Sequence, residues 1–130
     1  MPQHPLEPDV EVRLPADGAY ASVVRTTAAG LAARLDFSID DIEDLRIAVG
    51  EAVALLLAAA SPAASLVAAF QLSPGRLHAD LSVPVIGPVA VPDDSIAWHV
   101  LSALATDCSA DTRDGRFTVA VTMCADHSSG

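Results

Sequence analysis

The chain has 130 residues, 52% of them hydrophobic, and sets 17 acidic side chains against 7 basic ones, all arginine, for a formal charge of −10. That length suits one domain with a buried core, and the negative charge excludes a binder of phosphate backbones, so no direct nucleic-acid partner is expected. The longest apolar run, residues 52–60, falls far short of the roughly 20 residues that cross a bilayer, and no basic stretch followed by an apolar one opens the chain, so the expectation is a cytoplasmic protein with no membrane partner.

An acidic surface favours solubility and also steers basic protein partners, and charge alone leaves both readings open. Cys108 and Cys124 are not at a metal-ligand spacing, nor are His4, His78, His99 and His127, so no metal site is assigned and the cysteines read as reduced structural thiols. No local Ser/His/Asp or Cys/His spacing points to a hydrolase.

Residues 1–9 and 126–130 read as disordered tails, which leaves 10–125 as the folded domain. Val10, Val12 and Leu14 alternate with Glu11 and Arg13, the period of a half-buried strand, and Pro15 ends it. A first amphipathic helix is predicted over residues 17–35, with Tyr20, Val23, Val24, Thr27, Leu31 and Leu35 at helical spacing and Gly30 as its weak point. A second helix follows over residues 36–60. Ser38 is its N-cap, Asp40, Asp41, Glu43 and Asp44 put negative charge in its first turns, and Ile42, Leu45, Val49, Ala52, Val53 and Leu56 form its stripe. Ser61 and Pro62 stop it. Residues 66–72 and 77–85 then make a hairpin about Ser73-Pro74-Gly75-Arg76, and the proline-rich stretch 84–92 makes a loop.

Asp93, Asp94 or Ser95 caps a third helix that runs to about Asp107 and buries Ile96, Val100, Leu101 and Leu104. Residues 108–112 and 116–124 form a last hairpin about Asp114-Gly115, with Phe117, Val119, Val121 and Met123 on one side. The resulting fold class is α/β (α+β): a two-layer sandwich in which three helices cover one face of a mixed, mostly antiparallel five-stranded sheet.

Glu51 is the odd residue of the second helix. With Ile47 and Leu55 it makes an i, i+4 stripe that is otherwise apolar, so it either reaches water from the edge of the buried arc or has a functional reason to stand there. Read with its flanks, the stretch 44–60, DLRIAVGEAVALLLAAA, resembles the N-box helix of the GHKL ATP-binding fold. The branch it resembles is that of small bacterial anti-sigma factors and serine kinases of the RsbW type, where the helix runs roughly Leu-x-x-Ala-Val-x-Glu-Ala-Val-x-Asn. The match passes through Glu51, Ala52 and Val53 and fails at Leu55, where the family has a magnesium-binding Asn. The predicted order of elements over residues 10–124 is also the order the resemblance implies for a compact GHKL domain.

In members that use ATP the N-box Glu helps to activate the nucleophile, a catalytic role that the resemblance carries to Glu51 as a vestige. Leu55 offers magnesium no ligand, and phosphoryl transfer depends on cations that neutralise the phosphates. The family's G1 box, Asp-x-Gly-x-Gly, corresponds to Val85-Ile86-Gly87-Pro88-Val89, where Gly87 is the one remnant of the cofactor site. Ile96-Ala97-Trp98 stands where a Gly-x-Gly lets backbone amides approach phosphates. The resemblance therefore implies a degenerate nucleotide site, little or no ATP or magnesium binding, and no efficient kinase activity. Residues 95–107 are similar to the third helix of actinobacterial RsbW-type anti-sigma factors through Trp98-His99-Val100-Leu101, although Trp98 also suits core filling and His99 a structural hydrogen bond.

The function that the resemblance implies is an anti-sigma factor that sequesters an alternative sigma factor and is released by an anti-anti-sigma antagonist. The alternatives are a serine kinase of the same fold acting on that antagonist with Glu51 as base, and a degenerate GHKL domain with another regulatory partner. The partner-binding residues implied are Arg25, which matches an arginine the family sets against sigma factor, and Asp93 and Asp94 before the third helix. A solvated helix arginine and two helix caps are the plain readings of the same residues. Members of the family also dimerise through their sheets, so a homodimer belongs to the expectation.

Overall fold

The computed structural model describes residues 7–92 and 94–125. Its elements are β1 (Val10–Pro15), α1 (Ala21–Arg34), α2 (Ile39–Ala59), β2 (Ser65–Ser73), β3 (Arg76–Pro84), α3 (Ile96–Leu104), β4 (Asp107–Arg113) and β5 (Arg116–Cys124). The strands form one sheet in the order β1-β2-β3-β5-β4. The two-layer sandwich is therefore present, but its sheet is not mixed, because all the pairings among the described residues are antiparallel. Connectivity explains this. The pair α1–α2 returns the chain to the end where β1 stopped, so β2 runs back along β1; the single helix α3 makes β4 parallel to β3, but β5 lies between them and opposes both.

α2 is the central element. Ser38 caps it as predicted, its Oγ accepting from the Asp41 amide at 3.1 Å, and Leu45, Ala48, Val49, Ala52, Val53 and Leu56 are buried beneath it. They pack on the inner sheet face, where Leu77, Ala79, Leu81 and Val83 of β3 stand opposite Met123, Val121, Val119 and Phe117 of β5. Each fully buried Leu or Phe in these rows contributes about 1.5–3 kcal/mol. The last hairpin turns at Asp114 and Gly115, both left-handed with φ of 54° and 76°, the conformation that a two-residue turn between right-twisted strands requires.

The first helix is shorter than its periodicity predicts. Gly18–Tyr20 form a separate 3-10 turn, capped by Asp17 Oδ1 accepting from the Ala19 amide at 2.9 Å, and the first helix proper begins at Ala21. Its buried stripe is Val24, Ala28 and Ala32, while Tyr20 and Val23 are exposed. Alanines let the two helix backbones approach, and that close approach decides the buried side more than side-chain size does.

Ser95 caps α3, accepting from the Trp98 amide at 3.1 Å; Asp94 is exposed and Asp93 lies outside the described residues. α3 ends at Leu104 instead of running to about Asp107, because Ala105 is extended (φ −77°, ψ 149°) and the Thr106 amide already donates to the Thr122 carbonyl at 2.9 Å. Ile96 is 79% exposed, so the buried stripe starts a turn later and Leu101 is its fully buried member. Of the expected tails, residues 1–6 and 126–130 lie outside the described residues, and Asp9 is tied to β2, its amide donating to the Phe70 carbonyl at 2.8 Å and its Oδ2 accepting from the Leu72 amide at 2.7 Å. No helix among the described residues is long and apolar enough to cross a membrane.

Candidate functional site: two clefts along α2

Two clefts open along the outer flank of α2. The first, of about 440 Å³, lies between Arg25 of α1 and Glu43, Arg46, Ile47, Gly50 and Glu51 of α2. The second, of about 330 Å³, lies between Leu55, Ala58 and Ala59 of α2, the stretch 88–92, and Phe117 of β5. A helical flank that carries Glu51 and Leu55 one turn apart brings these clefts side by side. The fold thus sets Glu51 and Arg25 on the walls of one cleft, a placement not evident from their separation in sequence. Gly87 and Asp94 are both exposed and line neither cleft.

Charge is concentrated in the first cleft. Arg25 and Glu51 are both half-buried, yet neither makes a hydrogen bond or an ion pair among the described residues. Arg46 reaches Glu43 at 4.0 Å with both side chains exposed, a geometry that adds little stability. The cleft therefore presents guanidinium donors that are not committed among the described residues.

The second cleft has a different chemistry. Its lining side chains are Leu, Ala, Pro, Val and Phe, so it offers no side-chain oxygen to a magnesium ion and no side-chain cation to a phosphate. Magnesium takes hard oxygen ligands in near-octahedral geometry, and this lining does not fit it. The stretch forming its outer wall is fastened at several points. Thr112 Oγ1 accepts from the Val89 amide at 3.0 Å, Ser61 Oγ donates to the Pro84 carbonyl at 2.9 Å, and Val89 and Val91 pack against the core. On the far side of the stretch, Trp98 also packs against the core, and with His99 and Ala110 it lines a further hollow.

One arrangement escapes the sequence. On the sheet face away from the helices, His78 Nε2 lies 3.0 Å from Asp80 Oδ1 and His78 Nδ1 lies 2.7 Å from Thr122 Oγ1, an Asp-His-Thr chain of hydrogen bonds. Thr122 sits in β5 between β3 and β4, and the nearby Cys124 amide donates to Thr106 Oγ1 at 2.9 Å, so the place is a paired sheet surface rather than an oxyanion site. The chain of bonds acts as a cross-strand pin between β3 and β5. No signal could have revealed it, since His78 and Thr122 are 44 residues apart and meet only through register. Among the described residues, no group of three or more His, Cys, Asp or Glu side chains is placed to hold a metal ion.

No family model matches the chain. The serine-protein kinase RsbW of Bacillus velezensis is 49% identical over 43 residues, which are 33% of this chain and 27% of that protein, and the same-named proteins of Bacillus thuringiensis and Bacillus cereus are 46% identical over 43 residues. The crystal structure of the RsbU and RsbW domains of Rv1364c from Mycobacterium tuberculosis superposes with a TM-score of 0.66 at 20% identity, covering 93% of this chain and 32% of that one. Over the stretch shared with the Bacillus proteins the chain is similar to proteins of the RsbW type. At that identity the superposition speaks for the fold alone, while the similarity to the Bacillus proteins is confined to a stretch spanning about a quarter of their length, 27%.

Proposed function

We propose that this RsbW-type protein is a cytoplasmic anti-sigma factor that sequesters an alternative sigma factor without using ATP and is released by an anti-anti-sigma antagonist. The observation that carries the proposal is the contrast between the clefts. The one at Leu55 is lined with hydrocarbon, whereas the one beside it holds Arg25 without a partner among the described residues. An uncommitted guanidinium at a protein surface suits fork-like pairing with a carboxylate across an interface. Asp93 and Asp94, at the N-terminal side of α3, form the second proposed contact, with basic side chains of the partner. The open sheet face is the surface proposed for a homodimer.

Purified alternative sigma factors from the same genome, titrated calorimetrically into the protein, test this reading. One of them binds stoichiometrically, and Arg25→Glu abolishes that binding while the melting temperature stays nearly unchanged. Full affinity in Arg25→Glu would remove Arg25 from the site. A second reading, an ATP-dependent serine kinase acting on the antagonist, is favoured by Glu51 in the α2 flank and by the similarity to serine-protein kinases of Bacillus. In that reading Glu51 is the base and Gly87 part of the cofactor site. Incubation of the antagonist with labelled Mg-ATP separates the two, and no phosphate transfer is expected.

A further inference from the structure

Two glycines interrupt helices at interior positions, Gly30 in α1 and Gly50 in α2, where a glycine weakens a helix relative to alanine. Their surroundings differ. A Cβ at Gly30 would meet nothing within 4 Å, whereas a Cβ at Gly50 would lie 3.2 Å from Cδ of Arg25, 3.7 Å from its Nη1 and 4.0 Å from its Cγ. The Arg25 side chain therefore runs along α2 through the space that a side chain at position 50 would occupy.

No carboxylate among the described residues holds Arg25 in that course, although Glu43 and Glu51 line the same cleft. A long side chain without a partner normally keeps much of its rotamer freedom and loses it on binding. Contact with the bare backbone at Gly50 confines the aliphatic arm and leaves the guanidinium donors uncommitted. Next to it stand Arg46, weakly held at 4.0 Å from Glu43, and Ile47, an apolar side chain that is 47% exposed.

We propose that Gly50 is the positioning residue of the partner site. It seats Arg25 across α2 so that its guanidinium, together with Arg46, meets a carboxylate on the protein partner, while Ile47 receives an apolar side chain beside that carboxylate. The inference rests on the reading of Arg25 as a contact to the sigma factor. It adds Gly50, Arg46 and Ile47 to that contact and specifies an acidic residue next to an apolar one on the partner.

The seat is tested first without a partner, by phenylglyoxal modification read by mass spectrometry, with the exposed Arg34 as internal reference. Gly50→Leu fills the seat, and reactivity of Arg25 relative to Arg34 rises about threefold or more as the arm is lifted into solvent; an unchanged ratio would overturn the seat. The second readout is calorimetric titration with the sigma factor that binds the unaltered protein. Gly50→Leu weakens binding roughly tenfold and Gly50→Ala weakens it less, with no fall in melting temperature for Gly50→Ala. Gly30→Ala, the control with open space around it, raises the melting temperature by about 4 °C and leaves affinity unchanged. A merely structural role for Gly50 would lower stability and affinity together. In an Arg25→Ala background Gly50→Leu causes no further loss of affinity, and an additional loss would show that position 50 obstructs the partner directly, overturning the positioning role. Should Arg25→Ala leave affinity intact while the reactivity ratio still rises, the seat exists but the reading of Arg25 as a partner contact fails, and the proposal with it.

Discussion

Leu55→Asn introduces, one turn after Glu51, the residue that the family resemblance implies for ATP-using members, so it separates a cleft built for packing from one built for magnesium. Leu55 is half-buried, packs against the core, and faces Ala58, Ala59 and the 88–92 stretch. Full burial of a leucine is worth about 1.5–3 kcal/mol, so removing a half-buried one costs about 1 kcal/mol. The amide that replaces it meets hydrocarbon, and partial desolvation without a side-chain partner adds about 1 kcal/mol; the poorer helix propensity of Asn adds a few tenths. The expected loss is about 2 kcal/mol, or a fall in melting temperature of about 8 °C for a domain of this size. Urea denaturation followed by circular dichroism measures the loss, and calorimetric titration with Mg-ATP measures whether the restored amide recruits nucleotide. The expected result is a destabilised protein that releases no binding heat with Mg-ATP. Unchanged stability together with saturable Mg-ATP binding would refute the argument, because it would mean that the cleft tolerates a polar side chain and completes a metal site with groups other than its lining side chains.

Ser95→Ala removes the cap of α3 and lowers stability by about 1 kcal/mol, whereas Asp94→Ala changes it by less than about 0.5 kcal/mol, as chemical denaturation reports for each. Ala63 is exposed with φ of 58°, a left-handed conformation that disfavours a Cβ, so Ala63→Gly raises stability by about 1 kcal/mol. Thr122→Val takes the hydroxyl away from His78 and costs about 1 kcal/mol, while affinity for the sigma factor proposed to bind on the helical side stays the same in a titration.

Where local chemistry sets structure, the residues announced it. The Ser38 cap with acidic residues behind it defines the start of α2, and Asp114-Gly115 defines the last turn, because both depend on atoms within a few residues of each other. The stripe of α1 was harder to read, since its buried members include Ala28 and Ala32, and what buries them is the neighbouring α2 rather than their own hydrophobicity. The end of α3 depends on where β5 takes up Thr106, a partner further along the chain. Strand order has the same origin, as β5 enters between β3 and β4 only in three dimensions. At the candidate site, Glu51 stood out by helical spacing, and Leu55 through the family resemblance, which has Asn there. The contact of Arg25 with the bare backbone at Gly50 did not, because it joins two helices, and a glycine in a helix gives no indication of which side chain lies over it.

Titrating the proposed sigma-factor partner into the protein, once with saturating Mg-ATP and once in EDTA without nucleotide, tests the central claim most directly. An anti-sigma factor whose cleft at Leu55 is packing rather than a nucleotide site binds with the same affinity and stoichiometry in both conditions. Binding that requires Mg-ATP, or that strengthens tenfold or more when it is present, would contradict that claim and place a working nucleotide site on α2.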